Sequence, residues 1–256
     1  MSRSFPAEAD MLAPIAAGSR VLAGPRAYAF FEVSSMAGVP DVVFARFNGE
    51  QLRDRSERGC FLVDAAPLAV VLTLAALGPN PGVADNEIAS LAALSVRYTS
   101  GTVLPALREG GWVEMTQQRH WVLTRPFRSV VEHLVAVEAK LTDWRRGLAQ
   151  ATRLAAGADA VWLALDCERT SRPVAAPERF RHTGVGLAAV HPTGRVDALI
   201  APQGVGVLDL RREMLAERVA AMHVGGLRSG PISPVFGRRL VATTGLDPRL
   251  AGAAAR

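Results

Sequence analysis

The stretch that decides the fold spans residues 130–165, VVEHLVAVEAKLTDWRRGLAQATRLAAGADAVWLAL. It predicts a strand, a helix and a second strand. Residues 130–140 are mostly apolar and β-branched, with neither Gly nor Pro. Asp143 can cap a helix that carries Trp144, Leu148, Ala151 and Leu154 on one side. Gly157 ends that helix, and residues 160–165 form a short apolar run suited to a buried strand. The first strand closes on Glu138-Ala139-Lys140. Residues i and i+2 of a strand share a face, so Glu138 and Lys140 point the same way from a strand that is otherwise buried.

The chain has 29 lysines plus arginines, and Lys140 is the only lysine among them. Every other positive charge is an arginine. An ammonium is a compact donor whose pKa moves readily on burial, which a guanidinium is not. That difference favours a chemical reason for Lys140, against a single survivor of an arginine-biased composition.

A length of 256 residues allows one large or two small domains. Hydrophobic residues make up 49% and charged residues 21%, which excludes a disordered chain. The net charge of +5 favours a polyanionic partner. Cys60 and Cys167 form no CxxC pair and no ligand set, and read as free thiols in a reducing cytoplasm. Residues 1–10 are polar, with no signal segment. The longest apolar run, residues 65–77, is too short to span a bilayer and contains Pro67, so no membrane partner is expected.

Working outward, residues 5–17 predict a helix shortened or kinked at Pro14. Residues 27–33 and 39–47 predict a hairpin about a turn at 34–38, with the second strand starting at Pro40-Asp41. Residues 48–59 read as a charged loop. The next unit predicts helices at 65–77, at 87–93 behind a cap at Asp85 or Asn86, and from a Ser95 cap to about residue 108. Two short strands follow, at 112–115 and 120–124. Three helices followed by a hairpin, with the fragment VLPALREGGWVEM and then HWVLT, resemble the winged helix-turn-helix family. That resemblance implies a recognition helix with Arg97, Tyr98, Thr99 and Ser100 facing a major groove. It also implies Arg119 and His120 at a wing tip, touching phosphate or minor groove. Use of such a unit for protein packing stays open on the residues alone. Residues 167–183 read as an arginine-rich solvated loop, 184–190 and 196–201 as a hairpin, and 209–224 as a helix. From Gly225 onward the chain reads as a mobile tail.

With residues 60–126 set aside, the order is helix, three strands, helix, strand. Asp41 stands at the start of the second strand and Glu138-Ala139-Lys140 ends the third. This resembles the PD-(D/E)XK, or restriction-endonuclease-like, nuclease superfamily, whose signature is an acid on the second strand and E-x-K on the third. Gln150 fits a glutamine found in the following helix in some branches. The resemblance implies an α/β fold: a restriction-endonuclease-like mixed sheet flanked by helices, with an inserted winged helix-turn-helix. Residues 1–59 and 127–224 would form a discontinuous core, residues 60–126 the insert, and residues 225–256 a flexible tail.

The same resemblance implies that Asp41, Glu138, Lys140 and Gln150 carry catalysis. Asp41 and Glu138 would hold Mg²⁺, or Mn²⁺, through oxygen ligands. The metal would polarise a phosphoryl oxygen and help generate hydroxide. Lys140 would position that water or stabilise charge on the phosphate. Glu8 and Glu32 could add a further acid, though a solvated surface is the plainer reading of each. The five histidines show no metal-ligand spacing. The expected activity is metal-dependent hydrolysis of double-stranded DNA. The competing expectation is a DNA-binding regulator with an inactive nuclease-like core, and a protein-interaction adaptor is a third. A homodimer stays open.

Overall fold

The computed structural model describes residues 4–78, 82–204 and 209–229. In chain order the described helices are α1 Leu12–Ala17, α2 Ser19–Leu22, α3 Gly49–Arg58, α4 Ala65–Leu77, α5 Asp85–Leu91, α6 Val96–Tyr98, α7 Leu104–Glu109, α8 Trp144–Leu154, α9 Ser171–Val174, α10 Pro177–Thr183 and α11 Leu210–Val224. A π turn, Thr99–Val103, joins α6 to α7 without a break. The strands are β1 Tyr28–Phe31, β2 Val42–Phe47, β3 Val113–Met115, β4 Trp121–Leu123, β5 Val131–Lys140, β6 Ala160–Asp166, β7 Gly186–Val190 and β8 Val196–Ile200.

Six strands form one mixed sheet in the order β1-β2-β5-β6-β7-β8. β1, β2 and β5 run antiparallel to their neighbours, β5, β6 and β7 run parallel, and β8 returns antiparallel. The parallel centre requires helical crossovers, and the crossovers cover the sheet. α8 connects β5 to β6, while α9 and α10 connect β6 to β7. Alternation along β5 then sorts its side chains. Val135, Val137 and Ala139 face a layer built from Phe5, Met11, Ile15 and Leu22. Leu134 faces α11, through Leu215, Val219 and Met222. Ala136 faces α8 and α10, through Leu148, Ala151, Leu154 and Phe180. The sheet is thus sandwiched between helical layers, which explains why β5 reads as a continuous apolar run.

Between β2 and β5 the chain builds a helical unit around an apolar cluster that also takes in Met214 of α11. α4, α5 and the helix through residues 96–109 pack around Leu68, Val71, Leu74, Ile88, Leu104 and Leu107, and the β3–β4 hairpin adds Trp112 and Trp121. Ser95 caps its helix by accepting from Tyr98 N–H at 3.3 Å. The expected cap at Asp85 is not used. α5 starts behind Ala84, and Asp85 instead accepts from Trp121 Nε1–H at 2.6 Å, tying the helix to the hairpin.

Several expectations are corrected. Residues 48–59 form helix α3: the Asn48 side chain accepts from Gln51 N–H, and Gly59 ends the helix with a left-handed φ of 62°. Charge hid this helix, because its one fully buried side chain is Arg55. Residues 167–183 are helical turns around buried Pro173 and Phe180, not a solvated loop. β2 begins at Val42, one residue past Asp41. Residues 225–229 are held: Phe31 N–H donates to Arg228 O at 2.7 Å, and Leu227 packs against the α11 cluster. The rest of the expected tail, residues 230–256, lies outside the described residues.

The inserted unit is fixed to the sheet layer by charge as well as packing. Arg55 Nε donates to Glu217 Oε1 at 3.0 Å, and Leu62 N–H donates to Glu217 Oε2 at 3.1 Å. The Arg55 and Arg58 guanidinia lie over the Trp112 ring at 4.5 and 4.3 Å. Glu217 is fully buried and Arg55 is 2% exposed. Removing one member of such a pair strands the other charge. Glu217→Ala is expected to destabilise the protein by about 3–5 kcal/mol in urea unfolding. Arg46→Ala, which breaks the exposed Arg46–Glu132 pair, is expected to cost under about 1 kcal/mol.

Candidate active site

The charged groups gather where β5 leaves the sheet. Val42 pairs with Val137, so Asp41 stands one step further, across from Glu138. There its carboxylate replaces the missing strand partner: Asp41 Oδ2 accepts from Ala139 N–H at 2.7 Å. Glu138 is 4% exposed. Lys140 Nζ lies 2.9 Å from Glu138 Oε1 and 3.3 Å from Glu8 Oε2, and it donates to Ala139 O at 2.9 Å. Glu8 also accepts from Leu141 N–H through Oε1 at 3.4 Å.

Asp166, at the end of β6, fixes the segment that brings Glu8 here. Its carboxylate accepts from Phe5 N–H at 2.9 Å and from the Ser4 hydroxyl. Burial works against the Asp166 anion, but donors from Ser4, Phe5, Glu168 and Cys167 outweigh it and hold the group below its ordinary value.

The site carboxylates behave the opposite way. Burial pushes Asp41 up, against the Ala139 N–H and the Lys140 charge, and the Glu8 and Glu32 charges push it the same way. Burial also pushes Glu138 up, with the Asp41 charge adding to it and Lys140 opposing. Burial works against the Lys140 ammonium, yet Glu138, Asp41 and Glu8 together raise its pKa. Lys140 is therefore cationic at neutral pH, so it acts as a donor and a positive charge rather than as a proton acceptor.

The structure brings Asp41, Glu138 and Lys140 together and adds Glu8, whose plainer reading was a solvated surface. Gln150 is not joined to them: its Oε1 is buried without a hydrogen-bond partner among the described residues. Glu32 is exposed, with φ 52°; its N–H donates to Asp41 O at 3.3 Å, and its side chain acts on Asp41 through its charge. Gly147 was not foreseen. A Cβ there would stand 2.7 Å from Lys140 Cγ and 2.7 Å from Leu163 Cδ1. The lysine stem therefore occupies space that only glycine leaves. A glycine in the interior of an otherwise good helical pattern was the available signal, since it weakens a helix unless close approach requires it.

The residues expected to touch DNA divide. Arg97 and Tyr98 are exposed at the start of α6, and Arg119 is exposed in the β3–β4 turn with φ 62°. Thr99 is fully buried, facing the insert's core. Ser100 spends its hydroxyl on Val96 O at 2.8 Å. His120 is not at the tip: it is half-buried against Gly82, with Nδ1 unpartnered among the described residues. Helical spacing turned Thr99 inward, and the hairpin turn ends one residue before His120.

Among the described residues no group of three or more His, Cys, Asp or Glu side chains is placed to hold a metal ion. Buried Glu138 and half-buried Asp41, whose charge adds to the raised pKa of Glu138, nonetheless fit a hard divalent cation. Mg²⁺ commonly takes one or two carboxylates and keeps several waters. No helix is long and apolar enough to cross a membrane among the described residues. Comparison with models of known families, with curated proteins and with solved structures finds no match to this chain.

Two expected outcomes follow from this geometry. A carboxyl with a raised native pKa favours folding when protonated. That contribution is whole below the unfolded aspartate value, ordinarily 3.8, and is lost as pH rises through the native value. Asp41→Asn keeps an oxygen acceptor for Ala139 N–H and removes the ionisation. Its melting temperature should exceed that of the parent at pH 7, with the gain fading as pH falls toward 3.8. Gly147→Ala should destabilise by about 1–2 kcal/mol, because crowding against fully buried Leu163 outweighs the better helix propensity. It should also displace the Lys140 stem, visible as altered Lys140 side-chain shifts in NMR spectra.

Proposed function

We propose that the protein is a metal-dependent nuclease acting on double-stranded DNA. In this reading the six-stranded sheet is a restriction-endonuclease-like core and residues 60–126 are a winged helix. The observation that carries it is the convergence of Asp41, Glu138 and the only lysine at one end of β5. The antiparallel, antiparallel, parallel order of β1, β2, β5 and β6 supports the same reading.

Asp41 and Glu138 are the residues that would hold Mg²⁺. The cation would supply Lewis-acid polarisation of a phosphoryl oxygen and a lowered pKa for a nearby water. The chain's own contribution is fixed charge. The Lys140 ammonium, protonated and anchored on Ala139 O, can turn a donor toward the attacking water or a phosphoryl oxygen. Its place is set beforehand by Gly147 and Glu138, so little reorganisation is needed as negative charge develops. Glu8 competes with substrate for that ammonium and would release it to an incoming phosphate.

One observation favours the second reading, a DNA-binding regulator with a silent core. Lys140 Nζ already bridges Glu138 and Glu8, which occupies the carboxylate that a cation needs.

The test is incubation with plasmid and linear duplex DNA in Mg²⁺, Mn²⁺ or EDTA. Lys140→Ala is expected to lower cleavage more than a hundredfold, the equivalent of ~3–4 kcal/mol of barrier, while DNA binding stays within a few-fold of the parent. Lys140→Arg keeps the charge but cannot place it at the same point, and should cut nearly as poorly. Full cleavage by the arginine variant would refute the need for a compact ammonium. Absence of any divalent-dependent cleavage by the parent leaves the regulator.

A further inference from the structure

Charge is spread unevenly along the chain. Residues 60–126 contain four exposed arginines against three exposed acids, Glu87, Glu109 and Glu114, a net of +1. Residues 143–183 contain seven exposed arginines against three exposed acids, Asp143, Glu168 and Glu178. Of those seven, Arg181 pairs with Glu178, while Arg145, Arg146, Arg169, Arg172 and Arg179 make no ion pair among the described residues.

The fold places this excess beside Lys140. Leu165 of β6 pairs with Lys140, so the segment that begins at Cys167 leaves the sheet at the same end. The first turns of α8 press on the lysine stem at Gly147. Trp144 stacks on Phe180 with 6.0 Å between ring centroids, which lays α10 against the start of α8. The Arg145 and Arg179 guanidinia approach the Trp144 ring to 5.6 and 5.9 Å. Unpaired guanidinia on neighbouring turns repel one another, and a polyanion relieves that repulsion while releasing its own counterions. Guanidinium is also the planar fork that matches phosphate oxygens.

We propose that the phosphate backbone of duplex DNA lies along this arginine belt on the sheet layer, next to Lys140, and that the inserted unit is not its main contact. The proposal rests on the nuclease reading for where the reacting phosphate sits. It departs from that reading's resemblance, which assigns DNA contact to the insert.

The test is fluorescence anisotropy of a labelled duplex in EDTA, titrated over a range of salt concentrations, beside plasmid cleavage in Mg²⁺. The belt variant combines Arg145→Gln, Arg146→Gln, Arg172→Gln and Arg179→Gln. The insert variant combines Arg97→Ala and Arg119→Ala. All six side chains are exposed, and circular dichroism checks that each variant is folded. The belt variant is expected to bind at least tenfold more weakly and to lower the slope of log affinity against log salt by roughly 3–4, near 0.9 per lost contact. The insert variant is expected to stay within about twofold of the parent. Parent-like affinity and slope in the belt variant, or a loss carried by the insert variant, would overturn the proposal. So would a parent that binds no duplex. Belt-dependent binding without cleavage in any divalent cation supports the belt and sinks the nuclease reading. Cleavage that the belt substitutions leave intact does the reverse.

Discussion

The arrangement depends on one ion pair, Lys140 against Glu138, held where an apolar strand runs out of cover. β5 is sandwiched on both faces for most of its length, so a charge at its end is partly stripped of water. Burial disfavours every charged form present, the lysine included. What keeps the ammonium charged is the sum of three carboxylates around it. What leaves Asp41 and Glu138 uneasy is burial first, which the single lysine does not offset. The cluster therefore leaves Asp41 and Glu138 with raised pKa values around one ammonium.

Two ion pairs packed on α11 are satisfied differently. Glu217 takes Arg55 and the Leu62 N–H. Asp159 takes Arg212 twice, at 2.7 and 2.8 Å, and the Leu134 N–H at 2.7 Å. Each of these anions meets a guanidinium fork and a backbone donor, the combination that repays desolvation. Their office is geometric. They fix α11 against β5 and fix the inserted unit against α3, so that side of the molecule needs no lysine. The chain uses arginine where a planar fork is wanted and its single lysine where a point charge fits under a glycine.

The inserted unit illustrates the difference between shape and charge. Its helices and hairpin close around an apolar cluster that Met214 of α11 completes. Its exposed surface nonetheless carries a cationic excess of only +1, whereas the exposed residues on the α8–α10 side of the sheet layer carry +4. Long-range attraction follows net charge and not fold.

The sequence alone determined the elements whose signals are local. Largely apolar runs made β5 and β6, Asp143 and Ser95 capped their helices, and Asp209 capped α11. The pairing of Glu138 with Lys140 was also legible, because strand periodicity fixes which residues share a face. Tertiary structure decided the rest. α3 buries an arginine, so no apolar stripe announced it, and its partner Glu217 is 162 residues away. Thr99 turned inward because the insert's core needed that face, and Gln150 found no partner in the cluster. Glu8 entered the site because Asp166 holds the chain at Ser4 and Phe5, a contact across 161 residues from Phe5. Local pattern sets which way a side chain leaves its own element. Only packing between elements sets what it meets there.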